Sequence, residues 1–349
     1  MCSRIRFAAI VALFIPVSAI NAQNIKDYDR LFTGHDTLEV EIQGPLWALA
    51  KERSDVGEVD AIFRYTAQDG NLVEFDIALR TRGNLRRNPA ICNFPPLRIN
   101  FKKSQTKDTL FDKQDKLKLV THCKDGSQDY VQDVISEYLA YRMFNQLTDY
   151  SFAVRLVKVR YVYEDKTRTV DSYGILLEHD NRLAKRIDAS VPDADKTTIS
   201  SLRREDLNLV SVFQYFIGNT DFSPRSSFPG EGCCHNQALF VPADGLRYTI
   251  PYDFDQAGLV NAQHAKPNPR FGFRSVRTRL YRGRCINNDL LPDTLEKFRA
   301  HRADFEALLD NQSELTKTTR GNMRKYINGF YKIIDDPRAV DKHLLTKCI

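Results

Sequence analysis

The stretch that decides the fold reading is residues 217–258. It opens Ile217-Gly218-Asn219-Thr220-Asp221, continues with His235-Asn236 before the apolar run Gln237-Ala238-Leu239-Phe240-Val241, and closes Tyr248-Thr249-Ile250-Pro251-Tyr252-Asp253-Phe254-Asp255-Gln256-Ala257-Gly258. Asp221 follows a long apolar, helix-like segment and precedes a loop rich in Ser, Pro and Gly. Asn236 stands directly before one strand-like run and Asp253 directly after another, so a hairpin between them brings Asp, Asn and Asp to loop ends at one point. Oxygen-only side chains suit Mg²⁺ or Mn²⁺, which share their shell with phosphate oxygens. Phosphoryl transfer uses this set: one Asp takes a hydroxyl proton, and an Asn and a second Asp hold metal. Each residue alone reads equally well as a turn residue, since Asp and Asn cap turns through their own side chains. The ordered set is what points to a site.

Working outward, residues 80–84 read Arg80-Thr81-Arg82-Gly83-Asn84, residues 95–101 read Pro95-Pro96-Leu97-Arg98-Ile99-Asn100-Phe101, and residues 174–178 read Gly174-Ile175-Leu176-Leu177-Glu178. Together with the 217–258 stretch, these pieces resemble, in order, the motifs of CotH-type (spore coat protein H) kinases, atypical secretory members of the protein-kinase-like superfamily. The likeness runs over about residues 72–260, through short motifs. It departs at Arg98 and Asn100, where the family's basic strand usually carries Lys, and in a longer loop after Asp221. The resemblance implies an α+β, two-lobed protein-kinase-like fold with a β-rich N-lobe and a mainly helical C-lobe. It implies ATP and Mg²⁺ or Mn²⁺ as cofactors, Asp221 as catalytic base, and Asn236, Asp253 and Asp255 as metal ligands. Arg98 or Lys118 would contact the nucleotide phosphates, Glu137 would orient that cation, and Glu178 would lie near the adenine.

The first 22 residues carry Arg4 and Arg6, then an apolar run over 7–20 broken by Pro16, then Asn21-Ala22-Gln23. That is the order of a secretory signal peptide, too short for a comfortable membrane span. An exported chain, periplasmic or extracellular, with no transmembrane span after cleavage is the expectation. Cleavage lowers the net charge from +6 to +4, a mild excess that does not by itself imply nucleic acid. It also leaves six of seven cysteines: Cys92, Cys123, Cys233, Cys234, Cys285 and Cys348. An even number in an exported chain points to disulfides. Cys92 with Cys123 is one expected bridge, while Cys233 and Cys234 are expected to pair outward with Cys285 and Cys348. Paired Cys-x-x-Cys or His spacings that would suggest zinc do not occur.

Residues 23–178 are expected to form the β-rich lobe. Alternation of apolar and polar residues marks strands at 38–42 and 73–79, with a further strand at 59–65 ending at an Asp69-Gly70 turn, and two more at 97–101 and 117–120. Residues 128–147 form an amphipathic helix through Val131, Val134, Ile135, Tyr138, Leu139 and Met143, with Glu137 off the stripe. Strands follow at 152–163 and 168–178. Residues 179–349 are expected to form the C-lobe, with a helix at 201–217 delivering Asp221 and two helices at 290–310 and 313–334.

From Gln256 to Asn288 there is no acid, while Lys266, Arg270, Arg274, Arg277, Arg279, Arg282 and Arg284 accumulate. Such a segment makes a local positive field. Arg274, Arg277 and Arg279 read as substrate-binding residues for an acidic or hydroxyl-bearing protein partner, or as part of a solvated loop. The leading expectation is an exported phosphotransferase moving a phosphoryl group from a metal-bound nucleotide to a protein or other hydroxyl acceptor. The alternatives are a non-catalytic, pseudokinase-like envelope protein binding an acidic ligand through residues 264–284, and a metal-dependent phosphoesterase using water as nucleophile.

Overall fold

The structure, a computed structural model, describes residues 29–194, 196–227 and 232–349. The expected signal peptide lies outside these residues. Among the described residues, no helix is long and apolar enough to cross a membrane.

A one-turn helix α1 (Arg30–Thr33) leads into β1 (Leu38–Gly44), and α2 (Leu46–Glu52) into β2 (Val59–Thr66) and β3 (Leu72–Thr81). Then come β4 (Leu97–Phe101), the single turn α3 (Lys103–Thr106), β5 (Lys116–Val120), the long α4 (Gln128–Leu147), β6 (Val154–Tyr163) and β7 (Arg168–Leu177). These seven strands make a closed barrel in the order β1-β2-β3-β4-β5-β7-β6. Neighbours run antiparallel except at the seam, where β1 pairs parallel with β6 from Leu38↔Val157 to Gly44↔Tyr163.

The alternation in the sequence builds this barrel directly. On β2 the residues Ala61, Phe63 and Tyr65 point inward and are buried, while Arg64 points outward to Glu41 and Glu74. Phe63, Phe75, Phe101 and Phe111 fill the lumen, with ring centroids 5.0–6.3 Å apart in mostly edge-on contact. The alternation fails at the start of β6, where Val154, Arg155, Leu156 and Val157 are all buried. There the strand is covered on both faces: Val157 joins the lumen, and Val154 and Leu156 pack against the helices.

The helical layer comprises α4, α5 (Asp180–Arg186), α6 (Arg204–Ile217), α7 (Leu291–Ala300), α8 (Arg302–Asn311), α9 (Lys317–Ile334) and α10 (Pro337–His343). A small sheet of β8 (Ala189–Ser190), β9 (Gln237–Pro242) and β10 (Tyr248–Pro251) joins it in the order β10-β9-β8.

The fold is α+β, and its organisation corrects the expected two-lobed kinase-like arrangement. The strands wrap into a closed barrel rather than an open lobe sheet, because β1 returns to β6. One hydrophobic core then runs from Val154, Leu156, Ile175 and Leu177 through α4 and α6 to α9 and Leu344. Helix α4 sits in the middle of that core rather than on a surface. Fifteen of its 20 residues are buried, including Gln132, Asp133, Ser136, Glu137 and Arg142, so it is not the one-sided amphipathic helix that its apolar spacing suggests.

Disulfides join Cys92 to Cys123, Cys233 to Cys234, and Cys285 to Cys348. The first matches the expected bridge. The second corrects the expected outward pairing, and the reason lies at the C-terminus. Cys285 N–H donates to the Ile349 carbonyl at 3.3 Å and Ile349 N–H to the Gly283 carbonyl at 2.9 Å, which brings Cys348 to Cys285. Disulfides of this kind are compatible with an exported protein.

Candidate active site

Helix α6 ends at Gly218, whose left-handed backbone (φ 68°) turns the chain sharply; a Cβ here would collide with the Tyr326 hydroxyl. Buried Asn219 then accepts the Asp221 N–H at 2.8 Å and so fixes the turn that carries Asp221. The carboxylate of Asp221, 33% exposed, meets His235 Nε2 at 2.9 Å and the Asn236 amide nitrogen at 3.1 Å. The same amide donates to the Asp221 carbonyl at 2.7 Å. Asn236 opens β9 with φ 52° and Asp253 follows β10 with φ 60°, two non-glycine residues in left-handed backbone. Short polar side chains tolerate that conformation best, and its cost of order 1–3 kcal/mol tends to collect at functional sites. The hairpin joins the pieces: Tyr252 N–H donates to the Asn236 carbonyl at 3.2 Å, and Gly258 N–H to the Gly218 carbonyl at 3.1 Å.

Asp253 is half-buried, with its Oδ1 out of contact with solvent and its N–H held by the Tyr141 hydroxyl of α4 at 2.7 Å. Burial first, then the neighbouring Asp255, raises its carboxyl to about 6; Arg86 and Arg82 act against that rise, and Asp221 adds to it. Asp253 Oδ1 has no hydrogen-bond partner among the described residues. Lys118, on the outer face of β5, is in electrostatic reach of both Asp253 and Arg82. Its ammonium bonds Asp180 at 3.1 Å and lies 5.3 Å from the Tyr252 ring centre. Arg98 is its cross-strand partner on β4, so both cations share the barrel's outer face.

A second charged cluster lies deeper. Arg86, buried, reaches Asp255 at 3.2 Å and Glu137 at 3.7 Å, and His264 Nε2 meets the same Asp255 oxygen at 2.9 Å. Burial pushes the Asp255 carboxyl up, but Arg86 and then His264 outweigh it and hold the group down at about 2. Burial raises Glu137 to about 8 against the pull of Arg86.

The expected site residues therefore separate. Asp221, Asn236 and Asp253 do come together, with Lys118 nearby. Asp255 is turned toward Arg86 and His264, and Glu137 toward Arg86 rather than toward Arg98 or Lys118. Glu178 accepts from Arg186 at 2.8 and 3.1 Å and from Ala153 N–H at 3.0 Å, so its carboxylate is consumed inside the fold. In the basic segment, Arg279 caps the end of α6 by donating to the Tyr215 and Phe216 carbonyls at 3.1 Å, and Arg277 donates to the Gly258 carbonyl at 3.2 Å. Arg282 clamps the Thr220 and Phe222 carbonyls on either side of Asp221. Arg274, like Lys266 and Arg270, remains exposed.

The sequence reading missed Arg86, Tyr141, His264 and the structural use of Arg282. Arg86 stands two residues beyond the Arg82-Gly83-Asn84 turn, and nothing local marks it as the buried member of that basic run. Among the described residues, no group of three or more His, Cys, Asp or Glu side chains is arranged to hold a metal ion. The donors that fit a hard cation are the unpartnered Asp253 Oδ1 and the Asn236 amide oxygen, whose nitrogen is committed to Asp221. Comparison with family models finds no match, and comparison with curated proteins finds none either.

Proposed function

We propose that the protein transfers a phosphoryl group from a metal-bound nucleotide to a hydroxyl-bearing acceptor at the Asp221, Asn236 and Asp253 cluster. The observation that carries this reading is the buried Asp253 oxygen without a protein partner, beside Asp221 and within the field of Arg82 and Lys118. A buried carboxylate in that state is costly unless a cation completes it. The order of Asp221, Asn236 and Asp253, which resembles that of CotH-type kinases, supports the same chemistry. The proposal rests on these residues and not on a kinase-like fold.

In this reading Asp253 and the Asn236 oxygen would hold Mg²⁺ or Mn²⁺. When bound, the ion neutralises charge on the phosphates. Asp255 does not belong to the set, since Arg86 and His264 already occupy it. Lys118 and Arg82 face the phosphates of ATP. Asp221 takes the proton of the acceptor hydroxyl as its oxygen bonds the terminal phosphorus and the bond to the bridging oxygen breaks, the electron pair leaving with ADP. His235 and Asn236 hold the Asp221 carboxylate in place, and Arg282 fixes the backbone that carries it. The disulfides and the N-terminal segment support export as the setting.

A second reading, non-catalytic binding of an acidic ligand through residues 264–284, is favoured by the exposure of Lys266, Arg270 and Arg274. It is weakened by Arg277, Arg279 and Arg282, which spend hydrogen bonds on backbone carbonyls.

The test is ATP binding by the purified chain with and without Mg²⁺ or Mn²⁺, against Asp253→Ala. Metal-dependent binding lost in that variant is expected. Transfer of the terminal phosphate should then fall about 10²–10⁴-fold in Asp221→Ala, the range for loss of a general base. A folded wild-type protein that binds no ATP under any metal condition overturns the proposal.

A further inference from the structure

A cleft of about 880 Å³ lies between the outer face of the barrel and α5. Its lining includes Arg98 of β4, Lys116 of β5, Lys107 and Lys113 from the loop before β5, and Lys185 of α5. Seven cations line it in all, against two carboxylates, Asp112 and Asp115. Two of the seven are neutralised: Lys103 pairs with Asp115 at 3.2 Å, and Arg182 pairs with Asp29. The other five form no salt bridge among the described residues.

These cations come from two strands, a loop and a helix that are far apart in the chain. A solvated basic face usually belongs to one element, where like charges can splay apart. Here the fold gathers them around one concavity, where repulsion raises their cost. Arg98 is itself partly withdrawn from solvent, and that burial first, then Arg80 on the neighbouring strand, weaken its hold on its proton. His179 at the same rim is likewise held toward its neutral form by burial. The volume suits a small molecule rather than a protein surface.

We propose that this cleft is a binding site for a small polyanion carrying a chain of phosphates, with Arg98, Lys116 and Lys185 as the principal contacts. The site is distinct from the Asp253 cluster and stands whether or not that cluster transfers phosphate. Arg98 and Lys116 lie on neighbouring strands as diagonal neighbours on the same face, about 7–8 Å apart at the backbone, a spacing at which their long side chains reach different phosphates of an extended chain.

The experiment is calorimetric titration of the full chain with inorganic tripolyphosphate in EDTA, which removes any metal-bridged binding at Asp253. Saturable binding that weakens as salt is raised is expected. The double variant Arg98→Gln/Lys116→Gln, whose thermal unfolding serves as the fold check, should weaken it on the order of tenfold or more. Asp253→Ala should leave it unchanged. ATP competing where AMP does not would assign a nucleotide's phosphate chain as the source, and ATP failing to compete would assign a free oligophosphate. No saturable binding by folded protein overturns the proposal, as does undiminished binding by the double variant. Loss in Asp253→Ala alone overturns it by placing the ligand at the other site, and displacement by oligoglutamate at equal charge overturns it in favour of an acidic peptide.

Discussion

The lumen of the barrel and the charged seam beside α4 both hold side chains largely out of solvent, yet they are built from opposite materials. The lumen holds aromatic and aliphatic side chains and uses geometry alone: Phe63 and Phe111 meet with centroids 5.0 Å apart. The seam, between α4 and the segment after β10, brings buried Arg86, Glu137 and Asp255 together with the partly buried Asp253 and His264. Burying charges seldom improves on well-packed apolar residues, because desolvation offsets their attraction. The lumen is therefore where this protein gains stability, and the seam is where it gives some up to hold Asp253 in place beside Asp221.

The largest effects should come from cutting into each region once. Phe63→Ala should cost about 3–5 kcal/mol, the range for emptying an aromatic core site. Its cost should be the same at pH 5 and pH 8 in denaturant unfolding, because nothing around it titrates. Arg86→Ala should cost about 3–5 kcal/mol as well, by leaving Asp255 and Glu137 buried without their cation. That cost should be greater at pH 8 than at pH 5, since protonation relieves the stranded carboxyls at low pH. Equal pH behaviour of the two variants would erase the distinction between the regions.

Next in size, Tyr141→Phe removes the acceptor of the buried Asp253 N–H and should cost about 1–3 kcal/mol. ATP binding should suffer with it, while the same substitution at lumen Tyr65 should leave ATP binding intact. The smallest effect is one of slope. Glu137 rises to about 8 on folding from an ordinary 4.5, so between those values the folded protein keeps a proton that the unfolded chain has released. Stability from this group is complete below the unfolded value and declines as pH climbs through the folded one. Asp253, raised to about 6, acts in the same direction over pH 4–6. Glu137→Gln should flatten the decline between pH 5 and 8 by about 1 kcal/mol, with thermal melts at several pH values as the measurement. An unchanged slope would mean that the seam carboxyls titrate as they do in water.

Local signals carried most of the elements. Alternation at 38–42 and 73–79 became β1 and β3, the 59–65 run before the Asp69-Gly70 turn became β2, and the 128–147 helix appeared with its expected bounds. Asp221, Asn236 and Asp253 were legible because each sits at the end of an element whose own pattern is strong. Closure was not legible, since the pairing of Leu38 with Val157 depends on a contact between segments that show no sign of each other in their residues. The same limit applies to Arg86: its role is set by Glu137 and Asp255, which arrive from two distant parts of the chain. The split of 290–310 into α7 and α8 at His301 was missed because the apolar spacing of Phe298 and Phe305 continues across the break.

The parallel seam between β1 and β6 also sets an order of events during synthesis. Residues 38–44 emerge early, but their partner on that side is complete only when Tyr163 has emerged, and the ring is complete only with Leu177. Until then β1 has one flank of bare N–H and C=O groups, a template on which another unfinished chain can dock. A chain delivered residue by residue into a crowded compartment is thus exposed to association from the emergence of residue 38 to that of residue 177, and closure of the ring ends that exposure in one step.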